Sequence, residues 1–225
     1  MKNRDFIITS LQPWDIEIGS TIKNTALEIS KNNRVLYINT PMDFSTRLRG
    51  NKNKAWTRRM DVIKKQASPI RQINEHMWIA DCPFCVLPVG GLPTTCLFDW
   101  INRINNRKIA DYIRQITTQL NFNNYIHLID TDIYRSQYLK EYLTPSLSIY
   151  YCRDFVIGES YWKKNGVRLE PLLAAKSDIV LANSTHFAER FRQYNRHTFS
   201  IETGVNLALY DGRKKWLIPE DIKPI

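Results

Sequence analysis

Residues 147–155 read LSIYYCRDF, residues 165–195 read NGVRLEPLLAAKSDIVLANSTHFAERFRQYN, and residues 198–204 read TFSIETG. An apolar strand at 147–151 ends on the polar pair Arg153-Asp154. A helix that Pro171 opens comes next, then a second strand at 179–182, the turn Asn183-Ser184, another helix and a third strand. Buried-type strands alternating with helical patterns mark parallel crossover units, because parallel neighbours need a connection long enough to recross the sheet. In open sheets built this way ligands collect beyond the carboxyl ends of the strands. The polar residues at strand ends are therefore where chemistry is expected.

Toward the N-terminus the pattern repeats. Strands are predicted at 6–8, 35–38, 77–80 and 125–129. Helical periodicity places Ile22, Ala26 and Ile29 on one face, and Ile109, Ile113, Ile116 and Leu120 on another, with a short helix at 137–143. The fold class that follows is α/β: one doubly wound, mainly parallel, Rossmann-like sheet of about seven strands spanning 1–218. The end of the sequence, PEDIKPI at 219–225, reads as the start of a linker.

With 225 residues and 43% hydrophobic content the chain has enough apolar material for a sizeable core. Its formal charge of +10 points to an anionic partner: nucleic acid, an acidic membrane surface or a phosphorylated substrate. No apolar run reaches the length of a spanning helix, and the start MKNRDFIITS enters a strand at once without a signal-peptide core, so a cytoplasmic location is expected. The four cysteines are too scattered for a disulfide framework. Cys82 and Cys85 form a CxxC, but it runs into Val86-Leu87-Pro88 rather than a helix and lacks further ligands at set spacing, so no metal is predicted.

Residues 47–65 carry Arg47, Arg49, Lys52, Lys54, Arg58, Arg59, Lys64 and Lys65 against the single acid Asp61, with Trp56, Met60 and Ile63 at helical spacing. A basic helix with an apolar stripe fits an anionic membrane surface, contacted through Trp56, Arg58, Arg59, Lys64 and Lys65. It fits equally a solvated helix docked on the sheet through the same apolar residues. Nucleic acid is disfavoured, because no stacking aromatics are interleaved with the charge.

Several strand-end residues carry two readings. Gly19 and Ser20 stand before the first helix, where backbone N–H groups hold a phosphate or Ser20 simply caps the helix. Asp130 and Asp132 suit sugar hydroxyls or a metal, or serve as turn-forming carboxylates. Asp154 suits a general base, and Arg153 a phosphate contact, or the two form an ion pair. Glu170, just before Pro171, reads as a carboxylate at the positive end of a helix. Ser184 reads as a helix cap, and His127, mid-strand, as a core residue.

The run Glu170-x-x-Leu173-x-x-Lys176-Ser177-Asp178-Ile179-Val180-x-Ala182-Asn183-Ser184, followed by a helix, a strand and Gly204-Val205-Asn206, resembles the N-terminal half of GT-B glycosyltransferases of the family 1 and family 4 type. Gln12-Pro13-Trp14-Asp15 and Tyr150-Tyr151-x-Arg153-Asp154 echo the same proteins, which build bacterial surface polysaccharide and teichuronic acid. Arg153 stands where many of them carry a histidine. The resemblance implies a transferase that takes a nucleotide-sugar as donor substrate, with no metal or covalent cofactor. It implies a lipid-linked or glycan acceptor held by this half and a donor held by a second Rossmann-like domain, on a separate polypeptide where the gene is split. On it Gly19, Ser20 and Arg153 approach the donor diphosphate, Asp154 is the base, and Asp130, Asp132, Glu170 and Ser184 shape the acceptor side. A basic acceptor domain would then lie peripherally on the membrane's inner face. Two other readings remain: an acceptor-binding or membrane-docking module without turnover, and a phosphate-binding α/β enzyme unrelated to sugar transfer.

Overall fold

This computed structural model describes residues 1–15, 19–51, 53–202 and 204. Lys52, the Val205-Asn206 part of the expected strand-end motif and the linker at 219–225 lie outside the described residues. In chain order the elements are β1 (Asp5–Ser10), α1 (Thr21–Ser30), β2 (Arg34–Ile38), β3 (Met42–Asp43), α2 (Phe44–Arg49), α3 (Lys54–Ile63), β4 (Ile70–Asn74), β5 (Met77–Ala80) and β6 (Cys85–Val86). They continue with α4 (Thr95–Gln119), β7 (Ile126–Asp130), α5 (Leu139–Leu143), β8 (Leu147–Cys152), α6 (Ser160–Lys176), β9 (Ile179–Ala182), α7 (Thr185–Arg192) and β10 (Thr198–Ser200).

The main sheet has eight strands in the order β10-β9-β8-β7-β1-β2-β5-β4, parallel except where β4 runs against β5, and β3 pairs with β6 in a small second ladder. The expected seven strands are thus all present, and β4 is the addition. Its sequence, IRQIN, is half-exposed and mostly polar, as an edge strand permits, so no buried-strand pattern announces it. From β1 the chain winds outward through β2 and β5, and from β7 it winds the other way through β8, β9 and β10. The two directions part between β1 and β7.

Both faces are covered, which is why β1 and β7 are buried along their whole lengths. On one face Ile109, Ile113 and Ile116 of α4 pack on Ile7, Leu36 and Ile38. On the other, Ile22 and Ala26 of α1 pack on Ile8, Tyr37 and Ile79. Two helix boundaries differ from the periodicity. α4 starts at Thr95 rather than near Asn105, because the Thr94 hydroxyl caps it by accepting from Leu97 N. Pro171 does not open a helix but sits inside α6. It removes one N–H bond, which Val167, half exposed on the preceding turn, would otherwise accept on the wet side of the helix.

His127 is fully buried in β7, its Nε2 2.9 Å from Thr9 Oγ1, which also meets Ser136 Oγ at 2.8 Å. Burial pushes its pKa down to about 3. A base with a depressed folded pKa contributes stability above its unfolded value and loses it as pH falls, here from about 6.5 downward. The native state is expected to lose roughly 3 kcal/mol between pH 7 and pH 4 from this residue alone. In urea melts the cost of His127→Gln should therefore shrink as pH is lowered. A pH-independent cost would assign His127 a packing role only.

Candidate functional site at the carboxyl edge of the sheet

The parting of β1 and β7 creates the crevice at which open α/β sheets bind ligands. Six side chains close on it, five from three strand ends and Ser20 from the start of α1. Asp130, fully buried at the end of β7, accepts from Ser10 Oγ at 2.7 Å, from Arg153 Nε at 3.1 Å and from Arg153 Nη2 at 3.3 Å. Arg153 Nη2 also donates to Gln12 Oε1 at 3.2 Å, and the same oxygen accepts from Ser20 Oγ at 2.6 Å. Arg153 Nη1 lies 2.9 Å from Asp154 Oδ2. The guanidinium is therefore held on three sides, and Asp154, whose side chain is 55% exposed, is the member presented to solvent.

This geometry assigns the strand-end residues different work. Asp130 is an internal anchor rather than a ligand contact, since its oxygens are taken. Burial nevertheless pushes its carboxyl above the usual range, with Arg153 and Ser10 opposing the shift. Arg153 must release Asp154 before it can meet a phosphate. Ser20 turns to Gln12 instead of capping α1, so the first turn of that helix keeps its N–H groups without a side-chain cap. A side chain added at Gly19 would meet no atom within 4 Å.

The remaining expected residues lie apart. Asp132, buried, accepts from Arg135 N at 3.3 Å and sits 3.8 Å from Arg135 Nη1; burial raises its pKa. Ser184 caps α7 by accepting from Phe187 N at 3.3 Å. Glu170 is not at a helix start but mid-α6 and buried, accepting from Tyr150 Oη at 2.7 Å and from Arg190 Nη2 at 2.6 Å. The reading of Glu170 as a carboxylate at the positive end of a helix is overturned, because α6 begins at Ser160, three turns earlier in the sequence.

Of the residues expected at a membrane surface, three turn toward the protein. Trp56 packs on the cluster of Met42, Met60 and Cys85; Arg58 binds Asp81 Oδ2 at 3.1 Å and the carbonyl of Ser68; Arg59 binds Asp15 Oδ1 at 2.8 Å. For these three, the docked alternative for α3 holds. Lys64 and Lys65 are exposed.

Asn39 and Asp81, ending β2 and β5, were not expected and extend the site's polar row. Asn39 accepts from Trp14 N at 2.7 Å and donates to Asp81 Oδ1 at 2.7 Å. The strand-end rule that selects Asp130 would have found Asp81 as well. Along this edge Arg59 Nε, Arg71 Nε and Nη2, and Arg135 Nη1 are buried and make no hydrogen bond among the described residues, although Arg71 Nε lies 3.7 Å from Asp81 Oδ2 and Arg135 Nη1 3.8 Å from Asp132 Oδ1. Arg135 also lines a slot of about 30 Å³, room for about one water, walled by Tyr134, Tyr161 and Trp162. Larger concavities, of about 460, 610 and 830 Å³, lie elsewhere; Arg34 pairs with Asp5 in the second and Lys140 with Asp178 in the third, while Arg4 and Arg196, which also line those two, form no ion pair among the described residues.

No group of residues suited to a metal occurs among the described residues, and no described helix is long and apolar enough to cross a membrane. Burial pushes the Cys82 thiol up to about 12, which leaves Cys82 without a nucleophilic thiolate. Neither a protein-family model nor a curated protein sequence matches the chain.

Proposed function

We propose that the chain is the acceptor-side half of a GT-B-type glycosyltransferase, moving a sugar from a nucleotide-sugar to a lipid-linked or glycan acceptor. The observation that carries this reading is the bracket of Gln12, Asp130 and Arg153 at the parting of the sheet, which presents an exposed carboxylate, Asp154, beside a guanidinium and a helix start without a side-chain cap among the described residues. A carboxylate so placed accepts the proton of an attacking hydroxyl, and the neighbouring cation and helix start suit the charge that develops on a leaving diphosphate. The nucleotide belongs, on this reading, to a second Rossmann-like unit.

Two titrations of the 225-residue chain test it. A short-chain prenyl-diphosphate sugar should bind, and UDP- and GDP-sugars should not bind tightly. Micromolar donor binding would place the nucleotide here and remove the acceptor-side assignment. Asp154→Asn, exposed and isosteric, should leave the melting temperature unchanged. In a transfer assay completed with the donor unit, it should lower turnover by about a hundredfold or more. Turnover near that of the wild type would strip Asp154 of the base role.

A second reading, phosphate binding without sugar chemistry, is favoured by the buried arginine N–H groups that make no hydrogen bond along this edge among the described residues. Binding of inorganic phosphate or free nucleotide as tight as that of the prenyl-diphosphate sugar would select it. An acceptor-binding module without turnover would bind the prenyl sugar yet give no transfer when the donor unit is added.

A further inference from the structure

With Trp56, Arg58 and Arg59 turned inward, the two most exposed large apolar side chains within the described helices lie one helix earlier and across the neighbouring ladder, while others, Phe155, Val167, Leu172 and Phe199 among them, are exposed elsewhere. Leu48 of α2 is 86% exposed and Trp100 of α4 is 63% exposed. Phe44 stands one turn before Leu48 on the same face, and Ile104 one turn after Trp100. The two helices flank the β3–β6 ladder. α2 follows β3 directly, while on the other side Asn105 of α4 brackets Leu87 by accepting from its N–H at 2.9 Å and donating to its carbonyl at 2.8 Å. Phe44, Leu48, Leu87, Trp100 and Ile104, all exposed, thus stand on the elements that adjoin this ladder.

Its rim is cationic. Arg47, Arg49 and Lys54 are exposed and form no ion pair among the described residues, and Arg103, Arg107 and Lys108 line the α4 side. The nearby acids are already engaged: Asp43 caps α2, Asp99 pairs with Arg168 and Asp111 with Arg114. Exposed large apolar side chains ringed by uncompensated cations match an anionic lipid surface, which takes the rings and aliphatic tips at headgroup level and the charges against phosphate.

We infer that this α2–α4 surface, rather than α3, docks the protein on an anionic membrane. The inference is independent of sugar transfer, since it needs neither donor nor acceptor. α2 and the start of α4 both lie toward the carboxyl edge of the sheet, so docking through them would bring the crevice close to the lipid.

Sedimentation with phosphatidylglycerol–phosphatidylcholine vesicles tests it without any sugar present. The wild-type chain should pellet with these vesicles, should remain in solution with pure phosphatidylcholine, and should be released by salt. Each cation near the surface adds about fivefold to partitioning. Leu48→Glu combined with Trp100→Glu should lower partitioning at least tenfold, with an unchanged circular dichroism spectrum and melting temperature. Ile73→Glu, which alters an exposed apolar residue on the edge strand β4, should bind as the wild type does. A wild-type chain that fails to pellet would overturn the proposal and leave an acidic protein as the partner to seek. So would a double variant that pellets normally.

Discussion

Arg153→Ala is expected to destabilise the protein by about 3–5 kcal/mol at pH 7, because it strands a fully buried carboxylate. Arg153 supplies two of the hydrogen bonds to Asp130, and Ser10 supplies the third. The effect has a pH signature. Burial already raises the Asp130 pKa in the intact protein, and Arg153 is the main influence holding it down, so removing the guanidinium raises it further. An acid with a raised folded pKa keeps its full contribution below its unfolded value, about 3.9, and loses it as pH rises through the folded value. Urea melts should therefore show Arg153→Ala closest to the wild type in acid and furthest from it at neutral pH. Adding Asp130→Asn should restore much of the loss, since a neutral amide needs no counter-ion. A single-mutant cost near 1 kcal/mol with no pH dependence would mean that Asp130 is solvated and the bracket is not a unit.

The same residues show what the sequence could and could not disclose. Strand positions were readable because both faces of a parallel sheet are apolar, and runs such as Ile126–Asp130 and Ile179–Ala182 have no other use. The edge strand β4 was not, because one polar, half-exposed strand looks like a loop. At the site, position was legible and partnership was not. Alternation of strands and helices places Asp130, Arg153 and Asp154 at strand ends, but nothing in the spacing pairs Arg153 with Gln12, 141 residues away. Charge runs misled in the same way. In residues 47–65 the sequence shows an excess of cations, whereas the fold sends Arg58 and Arg59 to Asp81 and Asp15, acids that lie outside the run. Which cations face water depends on which acids the topology brings near, and that is a property of the sheet order.

Glu170 carries this point into a measurable contrast. Had it stood at a helix start, Glu170→Ala would cost about 1 kcal/mol, the loss of a dipole or capping interaction. Instead its side chain, 1% exposed, joins three elements. Oε1 accepts from Tyr150 of β8 and lies 3.8 Å from Cys152 Sγ, and Oε2 accepts from Arg190 of α7. Glu170→Ala should therefore cost about 3–5 kcal/mol, because Arg190 and the buried Tyr150 hydroxyl lose their acceptor together. Glu170→Gln keeps an oxygen in place and should cost less, about 1–2 kcal/mol. Tyr150→Phe in the Glu170→Ala background should then cost little more, since one loss covers both. Additive single-mutant costs would show that the contacts are independent. Since β8 delivers Arg153 and Asp154 just beyond Cys152, on the proposed acceptor-side reading a chain that folds with Glu170→Gln should bind the prenyl-diphosphate sugar more weakly than the wild type. The network fixes the strand from which the exposed carboxylate emerges, so its loosening is read at the crevice.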